Sequence, residues 1–299
     1  MVTLKELPKE ECLLAGNPSC AGCSAAIALR LMYKALGPRT ILVIPACCTT
    51  VIQGPYPFAA LASPGLNILF EATAAAASGI VAGLKKRGIK DVTVVGWAGD
   101  GGTTDIGIQA LSGAAERETD FIYICYDNES YMNTGIQRSG ATPYGAWTTT
   151  TPKGKRQHKK DMVAIMAAHH IPYVATVSPS YPLDFISKLR KAKEIKGTRY
   201  IHVLAPCSPG WRFPTEKTIE MGRLAVQTGM WALYEIENGK FRLNSPSASL
   251  VEKTKRKPVE EYLRAQGRFN HLTKEDIAEI QRWIDETWEN YKKLSVNCI

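Results

Sequence analysis

Short apolar runs separated by stretches of helical spacing set the plan of this chain. Thr40–Ala46 (TILVIPA), Val92–Ala98 (VTVVGWA), Phe121–Asp127 (FIYICYD), Tyr173–Ser178 (YVATVS) and Tyr200–Cys207 (YIHVLAPC) have strand lengths and little polar alternation. Runs of that kind read as strands buried on both faces, the habit of parallel sheets. Between them, residues 24–36, Ala72–Gly88, Thr103–Glu118, Met162–His170 and Tyr181–Ile195 read as helices. The second of these is rich in small residues and ends in Lys85, Lys86, Arg87 and Gly88, a basic last turn followed by a stop. Strand, helix, strand repeated in this way predicts an α/β fold, a doubly wound and mostly parallel sheet covered on both faces.

After Pro214 the rhythm changes. Trp231–Asn244 predicts a hairpin with Asn238–Gly239 at its turn. Leu272–Leu294 predicts an amphipathic helix, with Thr273 as N-cap, Asp276 three residues on, and Lys292 and Lys293 at its end. Residues 1–214 are therefore expected to form the α/β domain. Residues 215–299 are expected to be an extension, hairpin plus helix, packed on that domain or on partner subunits.

At 299 residues and 45% hydrophobic, the chain can bury a sizeable core. Its net charge of +9 raises nucleic acid as a partner, but aromatics do not interleave the basic residues and no recognition motif is present. The charge reads instead as that of a basic soluble protein with acidic partner surfaces. No apolar run reaches the roughly 18 residues of a membrane span, and MVTLKELPKEEC lacks an apolar signal core, so a cytoplasmic protein is expected. Lys153–Lys160 (KGKRQHKK) holds five basic residues and no acid, and is expected to be a solvated loop.

The candidate chemistry lies at strand ends. One predicted strand runs into Gly99-Asp100-Gly101-Gly102, and the next ends at Asp127-Asn128, 28 residues after Asp100. In open parallel sheets, ligands bind at the carboxyl ends of strands. Glycines let a backbone approach a phosphate closely, and a following helix offers its first amides. Asp100 would repel a diphosphate unless a divalent cation lay between them. Mg²⁺ takes hard oxygen ligands and is commonly shared by one or two protein carboxylates and substrate phosphates. Asp100 would give a carboxylate oxygen, Asn128 its amide oxygen and Ser130 a main-chain carbonyl. A dinucleotide fingerprint fails on the glycine spacing, and a P-loop fails for want of Gly-Lys-Ser/Thr. A lone GDG is more simply a tight turn. GDG followed by Asn at the next strand end is far more specific.

Eight cysteines in a chain of this size argue against a disulfide scaffold and for metal or redox chemistry. Cys20 and Cys23 form a CxxC pair, with Cys47, Cys48 and Cys207 distant in sequence. On spacing alone, a redox pair, structural zinc and an iron–sulfur cluster all stay open. Cys125 lies in an apolar strand and reads as core. Cys12 and Cys298 carry no assigned role, nor do His169 and His170. Glu71 reads as an acid at a helix start.

The run from Gly99 through Thr150, above all YDNESYMNTGIQ, resembles the thiamine diphosphate signature of one family. It is similar to the β subunit of pyruvate:ferredoxin oxidoreductase (pyruvate synthase) and its 2-oxoacid relatives, over most of residues 9–245. The resemblance implies that Asp100, Asn128 and the Ser130 carbonyl bind Mg²⁺, and that Gly99, Gly101, Gly102 and Tyr131 line the thiamine diphosphate site. Asn133 would reach the substrate side of the thiazolium, as the catalytic residue of this chain, and Glu71 would lie near the phosphate end. It further implies a 4Fe–4S cluster on Cys20, Cys23, Cys48 and Cys207, with Cys48 preferred to Cys47 because CTTVIQG aligns with the family's CSS-x-x-G. The family's GHxxC stands here as GNPSC, with Asn17 in place of the histidine.

The activity implied is oxidative decarboxylation of a 2-oxoacid, pyruvate first, with CoA as cosubstrate and ferredoxin as electron acceptor. No activating glutamate for the thiamine is found in this sequence. The resemblance places it on an α subunit, with a γ-type subunit and a ferredoxin-like cluster subunit completing the complex. Substrates other than pyruvate, namely 2-oxobutyrate, branched 2-oxoacids, 2-oxoglutarate and oxalate, stay open. So do a non-oxidative thiamine enzyme and an electron-transfer or zinc-binding subunit.

Overall fold

In the computed structural model, which describes residues 3–296, eight strands form one sheet. Cys298 lies outside the described residues. The chain runs α1 (Ser24–Leu36), β1 (Thr40–Pro45), α2 (Cys48–Gln53), β2 (Gly65–Ile68), α3 (Thr73–Lys86) and β3 (Thr93–Gly99). A π-helical turn (Gly101–Ile106) leads to α4 (Ile108–Glu116), β4 (Phe121–Asp127), α5 (Met162–Ala167), β5 (Tyr173–Val177), α6 (Pro182–Glu194) and β6 (Thr198–Leu204). Then come α7 (Ser208–Trp211), α8 (Thr218–Gln227), β7 (Tyr234–Glu237), β8 (Lys240–Leu243), α9 (Val259–Arg264) and α10 (Lys274–Val296). The sheet order is β2-β1-β3-β4-β6-β5-β7-β8, parallel throughout except for β7 and β8.

The expected strands are buried on both faces, and their side chains alternate between two cores. On β4, Phe121, Tyr123 and Cys125 face one core with α3, α4, α5 and α10, while Ile122, Ile124 and Tyr126 face the other with α1 and α6. Cys125 is fully buried in the first core, as expected. Helix α6 starts with Pro182, carries Asp184 in its first turn and ends with Lys191 and Lys193, charges that complement its dipole.

Three parts differ from the sequence reading. The expected helix Thr103–Glu118 is split: its first residues form the π-helical turn, and a regular helix starts only at Ile108. Strand β2 and helices α2, α7, α8 and α9 lie outside the sequence reading; apart from the ten-residue α8 they span four to six residues, too few for periodicity to register. Lys153–Lys160 is only in part the expected solvated loop: Lys153, Arg156, Gln157 and His158 are exposed, but other basic residues turn inward. Lys155 is buried and donates to the carbonyl oxygens of Thr142 (2.6 Å) and Gly140 (3.2 Å), and Lys159 pairs with Asp127 and Glu129. Lys160 donates to the Thr104 carbonyl and Arg156 pairs with Asp276 at 2.7 Å. Within the segment no acid answers these charges; the acids and carbonyls come from distant stretches, which the sequence does not reveal.

The C-terminal extension continues the main sheet. Asn238 and Gly239 take left-handed φ of 49° and 80°, closing the expected two-residue turn, and β7 pairs antiparallel with β5 from Tyr173↔Glu237 to Ala175↔Glu235. Helix α10 begins at the expected cap: Thr273 accepts from the Asp276 amide, and Asp276 accepts from the Thr273 amide, both at 3.2 Å.

Candidate functional site

Beyond β1 the chain turns towards β2, and beyond β3 it turns towards β4. The crevice between these diverging connections is the switch point of the sheet, where ligands settle in open α/β folds. Gly99 pairs with Tyr126, so β3 and β4 end at the same height and present Asp100 and Asn128 side by side. Asp100 is fully buried and Asn128 is 6% exposed.

The Asn128 amide holds one end 2.9 Å from Asp100 Oδ1 and 2.9 Å from the Ser130 carbonyl oxygen. With its oxygen there, three oxygens converge with no hydrogen between them; with its nitrogen there, the amide donates to both. The other carboxylate oxygen of Asp100 accepts a hydrogen bond from Ser139. Burial, and then the nearby Asp127 carboxylate, push the Asp100 carboxyl well above the usual carboxylate range.

The glycines have a steric reason beyond phosphate approach. A Cβ on Gly101 would stand 2.3 Å from Tyr131 Cε1, and one on Gly102 would stand 3.2 Å from the Phe70 ring. Tyr131 and Phe70 lie 5.9 Å apart and cover the glycine turn, and Tyr131 donates to Asp105 at 2.7 Å. Gly99, Asp100, Gly101, Gly102, Asn128, Ser130, Tyr131 and Asn133 all border one cavity of about 340 Å³. Asp100 is the only carboxylate among its described lining residues. Glu71 precedes α3 but does not border the cavity; its neighbour Phe70 does.

A second cavity of about 340 Å³ adjoins the first and is bordered by Cys20, Cys23, Cys48 and Cys207. Cys48, Asn128, Met132 and Asn133 border both. Cys47 borders only the first. Among the described residues, no three His, Cys, Asp or Glu side chains stand close enough to hold a metal ion as they are, so the four cysteines share a cavity without closing on one point. Burial raises the thiols of Cys23, Cys48 and Cys207, the last to about 12. Asn17 turns to its own loop, donating to the Leu14 carbonyl at 3.0 Å, and borders neither cavity.

Behind Asn128 lies a buried charge network that the motifs did not announce. Asp127 meets Lys159 and His202, each at 2.9 Å, and His202 meets the Tyr200 hydroxyl at 2.8 Å. Burial pushes the Asp127 carboxyl up, but Lys159 and His202 outweigh it and hold the group well below the usual range. Glu129 meets Lys159 at 3.1 Å and Arg268 at 2.6 Å. Trp211 donates its indole N–H to the Asn128 carbonyl at 2.8 Å. The acids lie inside the quoted motif YDNESYMNTGIQ, Lys159 in the basic run and Trp211 four residues after Cys207, so those were within reach of the sequence; His202 and Arg268 carried no signal.

Residues 46–203 match the C-terminal TPP binding domain of thiamine pyrophosphate enzymes. The chain thus holds a thiamine pyrophosphate-binding domain, on the sheet whose switch point carries the Asp100–Asn128 pair. Across nearly its whole length it is 55% identical to a ketoisovalerate oxidoreductase subunit VorB of Pyrococcus abyssi, covering 97% of this chain and 95% of that one. It is 54% identical to a pyruvate synthase subunit PorB of Methanothermobacter thermautotrophicus, covering 96% and 99%. The chain belongs to this family of 2-oxoacid:ferredoxin oxidoreductase β subunits. A solved 2-oxoglutarate:ferredoxin oxidoreductase of Magnetococcus marinus shares the fold, with a TM-score of 0.57 and 19% identity over 73% of this chain and 82% of that one.

Proposed function

We propose that this β subunit binds thiamine diphosphate through Mg²⁺ at the ends of β3 and β4 and a 4Fe–4S cluster in the adjoining cavity. In this reading it oxidatively decarboxylates pyruvate to acetyl-CoA and CO₂, reversibly, passing electrons to ferredoxin. One observation carries the cation: three oxygen-bearing groups meet with 2.9 Å between the Asn128 amide and each of its neighbours. Ligands at about 2.1 Å on adjacent octahedral positions stand about 3.0 Å apart, so the two 2.9 Å spacings from the Asn128 amide match those of neighbouring ligands in a Mg²⁺ shell. The carboxyl that burial and Asp127 make hard to ionise is the one a cation would keep ionised. The cluster reading rests on the donor set, four thiols on one cavity, with Cys48 there and Cys47 bordering only the other one.

When bound, thiamine diphosphate supplies the electron sink that lets a 2-oxoacid lose CO₂. The chain's own part is to hold and orient. Tyr131 and Phe70 cover the glycine turn, and Asn133, bordering both cavities, would face the reacting end. In this reading the activating glutamate comes from an α subunit. A γ-type subunit and a ferredoxin-like cluster subunit complete the proposed complex, which we place in the cytoplasm. No helix among the described residues is long and apolar enough to cross a membrane. A branched 2-oxoacid is the second reading, because a ketoisovalerate subunit stands as near in identity (55%) as a pyruvate one (54%).

The test is anaerobic purification of the complex with its partners, followed by assays of iron, thiamine diphosphate and magnesium. Viologen reduction is then measured with CoA and either pyruvate or 2-ketoisovalerate. Bound iron, thiamine diphosphate and Mg²⁺ with pyruvate-dependent reduction is expected. Faster reduction with 2-ketoisovalerate selects the second reading, and a colourless, iron-free complex overturns the cluster assignment.

A further inference from the structure

The C-terminal extension reaches back to the site through one side chain. Arg268 is 2% exposed, an unusual position for a guanidinium, and its Nε, its Nη2 and its flat face all have partners. Its Nη2 donates to Glu129 at 2.6 Å and to the Tyr262 hydroxyl at 3.3 Å, and its Nε donates to Gln266 at 2.8 Å. Its flat face lies 3.8 Å from the centroid of the Trp211 ring. Its main-chain carbonyl accepts from the Trp147 amide at 2.9 Å, and Gly267 donates to the Arg212 carbonyl at 2.9 Å.

Both targets of that side chain bear on the turn that carries Asn128 and Ser130. Glu129 lies between them with φ of 67°, a left-handed conformation that a residue with a side chain holds only when its surroundings enforce it. Its amide donates to Asp127 (2.9 Å), its carbonyl accepts from Thr142 (2.6 Å), and its carboxylate is gripped by Arg268 and Lys159. Trp211, stacked under Arg268, donates to the Asn128 carbonyl, and it ends the helical turn that starts next to Cys207. One buried guanidinium therefore touches the residue that bends the oxygen-bearing turn and the ring that ties this turn to the cysteine segment.

We propose that Arg268 is a positioning residue: from the C-terminal extension it fixes the Asn128–Ser130 turn through Glu129 and sets the Cys207–Trp211 segment against it. The extension is then a brace for the cofactor site as well as an edge of the sheet. This inference rests on the proposed Mg²⁺–thiamine diphosphate reading. Groups that orient metal ligands from behind typically change metal affinity about 10- to 100-fold when removed.

The test uses the assembled complex, stripped of magnesium, and measures Mg²⁺-dependent uptake of thiamine diphosphate by titration calorimetry. It compares wild type, Arg268→Gln, Arg268→Lys and Trp211→Phe. Lys159 still answers the Glu129 charge in Arg268→Gln, and Trp211→Phe keeps a ring under Arg268 while removing the N–H to Asn128 together with part of the buried ring volume. The Mg²⁺ concentration for half-maximal uptake is expected to rise about 10- to 100-fold in Arg268→Gln and less in Trp211→Phe. Arg268→Lys should recover part of the loss, and the KM for the 2-oxoacid at saturating Mg²⁺ and thiamine diphosphate should stay near wild type, although the melting temperature of Arg268→Gln falls because a buried pair is broken. Wild-type uptake by Arg268→Gln overturns the proposal. So does a loss that tracks a fallen melting temperature with no recovery in Arg268→Lys. If Arg268→Gln does not assemble, unchanged uptake by Trp211→Phe overturns it. Failure of the wild type to take up thiamine diphosphate with Mg²⁺ refutes the underlying reading instead.

Discussion

Gly101→Ala sets two effects against each other. Gly101 lies in the π-helical turn and has no left-handed φ, so helix propensity alone favours alanine by about 1 kcal/mol. The added methyl, however, would meet Tyr131 Cε1, Cδ1 and Cζ at 2.3, 2.5 and 2.9 Å, distances that real contacts do not show. The ring borders the 340 Å³ cavity and can yield towards it, but only by giving up its hydrogen bond to Asp105 at 2.7 Å and its place beside Phe70. Displacing it sacrifices a hydrogen bond to a charged group, about 1.5–3 kcal/mol, and adds overpacking of about 1–3 kcal/mol. The net expectation is a loss of about 1.5–5 kcal/mol. Gly83→Ala is the control: this exposed glycine in α3 has nothing within 4 Å of the built Cβ, so the variant should gain about 0.5–1 kcal/mol. Urea denaturation of the full chain followed by circular dichroism, with unchanged slope, measures both. A Gly101→Ala chain as stable as wild type would refute the steric account of the glycine turn.

Three further outcomes are expected. Cys48→Ser should lower the iron content and visible absorbance of the anaerobic complex while Cys47→Ser leaves both unchanged, because only Cys48 borders the cavity of the other three cysteines; equal losses would contradict the assignment. Burial raises the Glu235 carboxyl, but hydrogen bonds from Arg242, Tyr173 and Lys191 bring its pKa down from 4.5 to about 2. A folded-state value below the unfolded one contributes stability above pH 4.5 that is lost as pH falls towards 2, so Glu235→Gln should flatten the melting-temperature profile in that window. Thr273→Ala removes the cap of α10 and should lower unfolding free energy by about 1 kcal/mol in the same urea assay, with no change if the cap carries no weight.

Much of this site was legible because it is local in sequence. Asp100, Asn128 and Ser130 follow strands whose apolar runs are plain, and those two strands are neighbours that end level in the sheet. The hairpin at Asn238–Gly239 and the cap at Thr273 were legible for the same reason, since turn and cap chemistry involve residues only a few positions apart. Illegible were the partners of buried charges. Lys155 and Lys159 sit in a run that reads as solvated, yet they satisfy carbonyls and carboxylates that the chain supplies from 13 to 32 residues away. Arg268 answers Glu129 across 139 residues, and no local pattern marks either as the other's partner.

The sequence by itself determined the alternation of strands and helices, the parallel sheet and the positions of acid, amide and thiols along the chain, because periodicity and turn chemistry act over a few residues. Only the tertiary structure decided that Cys48 borders the cavity of Cys20, Cys23 and Cys207 while Cys47 borders only the other one. It also decided that Tyr131 and Phe70 fill the space the glycines leave, and that the extension closes on the site through Arg268. Those outcomes depend on excluded volume and on matching buried charges, which exist only once distant segments are packed together.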